Sequence, residues 1–363
     1  MNNILHIIWD GDLGGVQNYV KQVVSSELWA DHKHTIFICT NEGAMINSQA
    51  IDGVDVISCD CKNARSLIHF NRRLNQVIEE WNINIIHAHC DSLLFLSQIR
   101  LFKKCKLIYT EHGDTQVREN RKVMRDAIWK VNGGQWDHII LNSNFTREKF
   151  LGQFPQFEKN SVLITNPLLT GLKRRLPRKM TRPFKFGAVG RLETVKGLDS
   201  LLLAAANLSK KYPDSEFHLY GEGSQEAYLK TMADQLQITN IKFHGYTINP
   251  LKDMSELDCL VVPSKLESFG LSALESLSVG TPVIAFQGTG IADFLKHNKH
   301  GYVAKKGSVE SLHNCMEKIM SDENQWNLFS QEGISMVKED YSMESHITQL
   351  AELYSSHSEV SRN

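Results

Sequence analysis

The stretch CLVVPSKLESFGLSALESLSVGTPVIAF, residues 259–286, holds a complete supersecondary unit. Residues 259–263 are a short apolar run rich in valine, which reads as a strand buried on both faces. After Ser268 the leucines fall at helical spacing, and Gly280 followed by Thr281-Pro282 is a usual way for a helix to stop. Val283–Phe286 is then a second strand, so the unit is a parallel crossover. Glu267 falls in the loop at the carboxyl end of the first strand, and Glu275 lies about two turns into the helix. Phe269, Gly270 and Leu271 offer free backbone N–H groups at the helix N-terminus, an end that attracts phosphate. A carboxylate beside a phosphate repels it, so each glutamate is expected to accept hydrogen bonds from neutral groups. Sugar hydroxyls meet that need.

The same alternation runs through the whole chain. Candidate strands lie at 4–9, 35–40, 54–58, 83–87, 106–110 and 138–142, then at 184–189, 216–221, 241–244, 259–263 and 283–286, with helical segments between them. At 363 residues the chain suits two domains. The expected division is an N-terminal domain 1–170, a basic linker 171–183, a second domain 184–340, and a closing helix in 341–363 that packs back on the first domain. Two doubly wound halves facing across a cleft would bind ligands at the carboxyl ends of their strands.

Composition is that of a globular chain, with 42% apolar and 22% charged residues. MNNILHIIWDGDLGG has no basic stretch before its short apolar run, so it reads as a first strand and the protein as cytoplasmic. Seven scattered cysteines, with no Cys-x-x-Cys pair, read as reduced thiols. His87, His89 and Cys90 form the tightest metal-like cluster, but the two histidine rings are expected to point to opposite faces of a strand end, and no metal is expected. Charge is uneven: residues 1–170 hold 18 basic and 18 acidic side chains, whereas 183–363 hold 16 and 23. Between them LKRRLPRKMTR carries six basic residues and no acidic one, a solvated linker or a contact with something anionic.

A Glu-x7-Glu interval occurs three times, at Glu111 and Glu119, Glu267 and Glu275, and Glu344 and Glu352, and only the middle copy sits on a strand-turn-helix. In that setting ESFGLSALESLSVGTPVIA resembles the signature of the retaining nucleotide-sugar glycosyltransferases of family four, whose GT-B architecture is two Rossmann-like domains. Six further stretches match in order: GGVQNYV, SNFTRE, VGRLETVKGLDSLLLAA, LYGEGSQEAYL, IKFHGY and YSMESHITQLAELY. The resemblance covers nearly the whole chain.

It implies roles residue by residue. Glu275 would hold the ribose hydroxyls of the donor. Glu267 would hold the hydroxyls of the transferred sugar, with the Phe269 and Gly270 amides, and Ser268, Leu271, Gly190 and Tyr246 would complete the donor site. Arg191 and Lys196 would grip the diphosphate, where two cations stabilise the charge that develops on departure. Gly14 and Gly15 would let the backbone approach the diphosphate or acceptor, and His112 would lie beside the donor sugar. The resemblance also implies retention of configuration, with the acceptor attacking from the leaving-group side and the donor phosphate taking its proton.

The expected partners are a UDP- or GDP-sugar and a saccharide or lipid-linked saccharide, in bacterial surface polysaccharide synthesis; no nucleic acid is implied. Within the fold, an epimerase or a sugar-phosphate synthase is the alternative; a catalytically inactive nucleotide-sugar-binding protein is another. GAVGRL has two glycines where a dinucleotide fingerprint needs three, which disfavours an oxidoreductase. Residues 117–130 carry Arg118, Arg121, Lys122, Arg125 and Lys130 among Val117, Val123, Met124, Ile128 and Trp129. They read as a helix lying on an anionic membrane surface, as a solvated basic helix, or as part of an acceptor site.

Overall fold

The computed structural model describes residues 2–11, 14–29, 32–40, 53–59, 66–89, 104–113, 126–131, 133–169 and 180–356. The chain forms two compact units, one of residues 1–169 with 343–363 and one of residues 170–342. Cys61, Cys90, most of the basic stretch 171–179 and the 117–125 part of the basic segment lie outside the described residues.

The first unit runs β1 (Asn2–Ile8), α1 (Gly15–Val24), β2 (His32–Ile38), β3 (Asp55–Ser58), α2 (Ser66–Glu80), β4 (Ile85–Ala88), β5 (Lys106–Glu111), β6 (His138–Leu141), α3 (Asn144–Gln153) and β7 (Ser161–Leu163). Its strands are parallel in the order β3-β2-β1-β4-β5-β6-β7. The second unit runs β8 (Lys185–Val189), α4 (Leu198–Lys211), β9 (Glu216–Tyr220), α5 (Glu226–Gln235), β10 (Ile241–Gly245), α6 (Pro250–Glu256), β11 (Cys259–Val262), α7 (Leu271–Ser278), β12 (Val283–Phe286), β13 (Gly301–Ala304), α8 (Val309–Ser321) and α9 (Glu323–Asp340). Its order is β10-β9-β8-β11-β12-β13, again all parallel. Both sheets therefore have the Rossmann order, which reverses between β1 and β4 in one and between β8 and β11 in the other. Two strands escape the sequence reading, β7 and β13, each at a sheet edge and no longer than four residues.

The last helix, α10 (Met343–Ser355), belongs to the first unit. It buries His346, Ile347, Leu350 and Tyr354 there, and Lys106 Nζ donates to the carbonyls of Leu353 and Ser356 at its end. A cation at a helix C-terminus satisfies carbonyls that have no partner within the helix. At the start of the second unit, the buried Asp258 carboxylate accepts from the amides of Thr181 (3.1 Å) and Lys185 (2.9 Å). Its carbonyl accepts from Trp326 Nε1 at 2.6 Å, which ties α9 to the entry of β11.

Trp129 is fully buried, ringed by Tyr109, Phe150, Phe154 and Phe157, and Ile128 packs on the same core. The expectation that these two supply the apolar face of a membrane-lying helix is therefore corrected: burying an indole stabilises the first unit and removes it from the surface. Among the described residues no helix is long and apolar enough to cross a membrane.

The histidine rings also depart from the expected opposite faces. His87 and His89 lie on one side of the sheet with ring centroids 4.1 Å apart, because residues i and i+2 of a strand share a face. His6 joins them, and each of the three places a ring nitrogen within 4.8 Å of the others. Those nitrogens already have partners: His6 Nδ1 meets His89 Nε2 at 3.0 Å, and His87 meets Tyr354 Oη and Thr110 Oγ1, both at 2.7 Å. Tyr19 Oη meets His346 Nε2 at 2.8 Å on the same side.

Burial holds His6, His87 and His89 well below the ordinary imidazole range, His34 and His112 at about 3, and His346 at about 4. Neighbouring imidazoles add to the effect, since two positive rings repel. The unfolded chain, with imidazoles near 6.5, binds more protons than the folded one. The stability these groups permit is thus fully present above about pH 6.5 and is lost as pH falls toward 3, each by up to about 1.4 kcal/mol per pH unit. Urea midpoints measured at pH 7.5, 6 and 5 are expected to drop steeply below 6.5. A flat profile would contradict neutral burial of these rings.

Candidate functional site

The second unit builds a pocket where its strand order reverses. Val189 closes β8, with Gly190 just after it, and Val262 closes β11; with Arg191, Lys196 and Ser272 they line an open pocket. Two loops converge there, joined by Lys265 N donating to Val195 O at 2.8 Å. The loop after β8 turns through Thr194–Lys196 and swings the Lys196 side chain inward, where Nζ meets Glu267 Oε2 at 2.7 Å. Ser264 Oγ donates to the same carboxylate oxygen at 3.3 Å. Both side chains of this ion pair are mostly shielded, at 27% and 16% exposed, so the attraction is stronger than at a free surface.

Gly270 caps α7 in the left-handed conformation, φ 95°, and a Cβ there would stand 2.4 Å from Ile291 Cγ1. Only glycine takes that turn without strain. Among the described residues the amides of Phe269, Gly270, Leu271 and Ser272 meet no acceptor, so the start of α7 presents a set of free donors with the positive end of the helix dipole behind them. Glu275 follows on the same helix. Its carboxylate has no hydrogen-bond partner among the described residues, and burial pushes its pKa up to about 7. An acid so placed gains from any ligand that donates hydrogen bonds to it.

Arg191 is exposed and forms no ion pair among the described residues. Tyr246, just past β10, is 67% exposed, and its amide reaches Glu222 Oε1 at 3.4 Å. Ser268 is buried beside Phe269. The second unit thus brings Lys196, Glu267 and the α7 amides to the end of β11, with Gly190 and Arg191 across the pocket on β8's loop.

In the first unit, Gly14 caps α1 with no side-chain bond, and a Cβ on Gly15 would meet nothing within 4 Å, which leaves that backbone open to approach. His112 follows β5, with Nε2 3.1 Å from His89 Nδ1 and its ring against Tyr19. The sequence reading singled out His112 and the His87, His89 pair but not His6, His34, Tyr19 or His346. The available signal was a histidine at inward positions of otherwise apolar strands, in LHII, HKHT and IHAH. One Asp-x-Asp spacing also exists, Asp10-Gly11-Asp12; Gln17 Nε2 donates to Asp10 at 2.8 Å, and Asp12 lies outside the described residues.

Two family models match, Glycosyltransferase Family 4 over residues 13–168 and Glycosyl transferases group 1 over residues 172–336. An uncharacterized glycosyltransferase of Haemophilus influenzae is 28% identical over 279 residues, 75% of this chain and 76% of its own length. A poly(ribitol-phosphate) alpha-N-acetylglucosaminyltransferase of Staphylococcus aureus is 28% identical over 66% of this chain, which spans just 47% of that protein. Among solved structures, Anabaena HepE in complex with UDP superposes with a TM-score of 0.80 at 17% identity, covering 98% of this chain and 100% of its own. The TarM structure gives 0.83 at 15% identity, covering 98% and 99%. The chain belongs to the group 1, family 4 glycosyltransferases and has their GT-B fold of two Rossmann-like domains.

Proposed function

We propose that this glycosyltransferase is a retaining enzyme that moves a sugar from a UDP- or GDP-sugar onto a saccharide or lipid-linked saccharide of a bacterial surface polysaccharide. The observation that carries the reading is the unpartnered Glu275 carboxylate on the helix whose free N-terminal amides face Lys196 and Glu267. Supporting it, HepE is solved with UDP and with UDP-glucose, and the Staphylococcus aureus relative is named for transfer of N-acetylglucosamine to poly(ribitol-phosphate).

In this scheme ribose hydroxyls donate to Glu275. The diphosphate lies between the α7 amides and the Arg191 and Lys196 side chains. As the anomeric C–O bond breaks, its electron pair passes to the phosphate oxygen, where the two cations stabilise the new charge. The acceptor hydroxyl oxygen bonds to the anomeric carbon on the same face, and its proton goes to the departing phosphate. Glu267, relieved of part of its pairing with Lys196, accepts hydroxyls of the transferred sugar. Side-chain cations do the work for which other transferases use a metal, so turnover is expected to survive EDTA.

The direct test is thermal unfolding with UDP, GDP, ADP, CMP, NAD and NADP. Stabilisation of about 2.7 kcal/mol at one hundred times the dissociation constant is expected with UDP or GDP alone; a shift confined to NAD or NADP would overturn the reading. Glu275→Gln separates stability from binding. A carboxyl with its folded pKa near 7, above an unfolded value near 4.5, destabilises the fold as pH rises through that window. At pH 8 the amide is therefore expected to raise stability, by up to about 3 kcal/mol, while the nucleotide-induced shift shrinks. A nucleotide-induced shift that did not shrink would show that Glu275 is not the ribose ligand, whichever way stability moved. Lys196→Ala is expected to lower kcat on the order of 10²- to 10³-fold, checked by release of nucleoside diphosphate from the donor identified in the panel.

A further inference from the structure

Four histidines cross the first sheet in one hydrogen-bonded file. His34 Nδ1 meets His6 Nε2 at 2.9 Å, His6 Nδ1 meets His89 Nε2 at 3.0 Å, and His89 Nδ1 meets His112 Nε2 at 3.1 Å. They come from β2, β1, the end of β4 and the end of β5, which are neighbours in that order. The registers Ile4 with His34, His6 with His87 and Ala88 with Tyr109 place each ring two residues further toward the carboxyl edge than the one before. The file therefore runs diagonally from the interior to the edge, across the point where the strand order reverses.

Its protons can be counted. Four neutral imidazoles carry four ring N–H groups, and three contacts take one each. The fourth proton must sit at an end, on His34 Nε2 or on His112 Nδ1. His34 Nε2 is sealed from solvent and has no partner among the described residues. A buried N–H without an acceptor is rarer and costlier than a buried acceptor without a donor. His112 is only partly buried where His34 Nε2 is sealed, so the His112 end of the file is the one at which a proton can meet water or a ligand.

We infer that the histidine file fixes His112 as a neutral imidazole bearing its proton on Nδ1, so that it acts as a hydrogen-bond donor to a ligand oxygen and not as a base. All three internal bonds then point the same way, and each polarises the next. His34, His6 and His89 are positioning residues: they meet no ligand themselves but set what His112 presents. The inference deepens the proposed transfer reaction and rests on it for the class of the oxygen, a saccharide hydroxyl at the carboxyl edge of the first sheet. The tautomer itself does not depend on that reading.

Two-bond ¹H–¹⁵N correlation spectra of the whole protein labelled at histidine, without any nucleotide, test it at pH 7, the His112 signals being assigned by their loss in His112→Asn. The expected result is a neutral ring protonated at Nδ1. A ring protonated at Nε2, or a doubly protonated one, would overturn the inference in the wild-type protein, with no variant needed. His89→Leu removes the donor to His112 Nε2 and is expected to release the ring toward the Nε2–H form that free histidine prefers. His89→Asn, whose amide can place an N–H where Nδ1 stood, is expected to keep Nδ1–H. The same tautomer in all three proteins would show that the file does not set it.

Discussion

A parallel sheet whose strand order reverses leaves, beside the two central strands, a crevice that no crossover connection covers. Both units of this chain are built around such a reversal, between β1 and β4 and between β8 and β11. The candidate donor site and the histidine file lie at these two places. In the second unit the crevice holds a cationic loop, a helix N-terminus and two carboxylates; in the first it holds neutral imidazoles and tyrosines. The same topology thus carries two different electrostatic solutions, one built on a lysine, two carboxylates and free amides, the other on buried neutral imidazoles that reach the carboxyl edge at His112.

The two solutions differ in what they cost the empty protein. Glu275 sits where burial disfavours its ionised form, and the α7 amides are unpaired, so the second unit keeps polar groups short of partners until something fills the pocket. The first unit holds His6, His34, His87, His89, His112 and His346 neutral by burial, and most of their ring nitrogens bond to another ring, a tyrosine or a threonine. A binding surface of the first kind gains from its ligand by relief of strain in hydrogen bonding. A core of the second kind gains order from internal satisfaction and is sensitive to acid instead.

The fold class was legible because valine- and isoleucine-rich runs alternate with helical segments from one end of the chain to the other. Two of the four edge strands were not: SVL and GYVA are too short to stand out, and only pairing with β6 and β12 makes them strands. The strand, turn and helix around Glu267 and Glu275 could be placed from leucine spacing, a stop glycine and a proline. The contact of Glu267 with Lys196, 71 residues away, could not, because it depends on β8 lying beside β11. The histidine file was hidden for the same reason. Its members are spread from position 6 to position 112, and only strand order and register bring them within hydrogen-bond distance. Trp129 shows the opposite failure: a basic, aromatic stretch looks like a surface until the tertiary core claims its indole.

One feature of the chain order bears on how the protein is made. Helix α10 belongs to the first unit, yet it is synthesised after the whole of residues 170–342. Until it leaves the ribosome, His87 lacks Tyr354, Tyr19 lacks His346, and the buried end of Lys106 has no carbonyls to meet. The second unit has its complete sequence earlier and can close first. The first unit, although its translation begins first, is completed only when α10 brings His346 to Tyr19 and Tyr354 to His87.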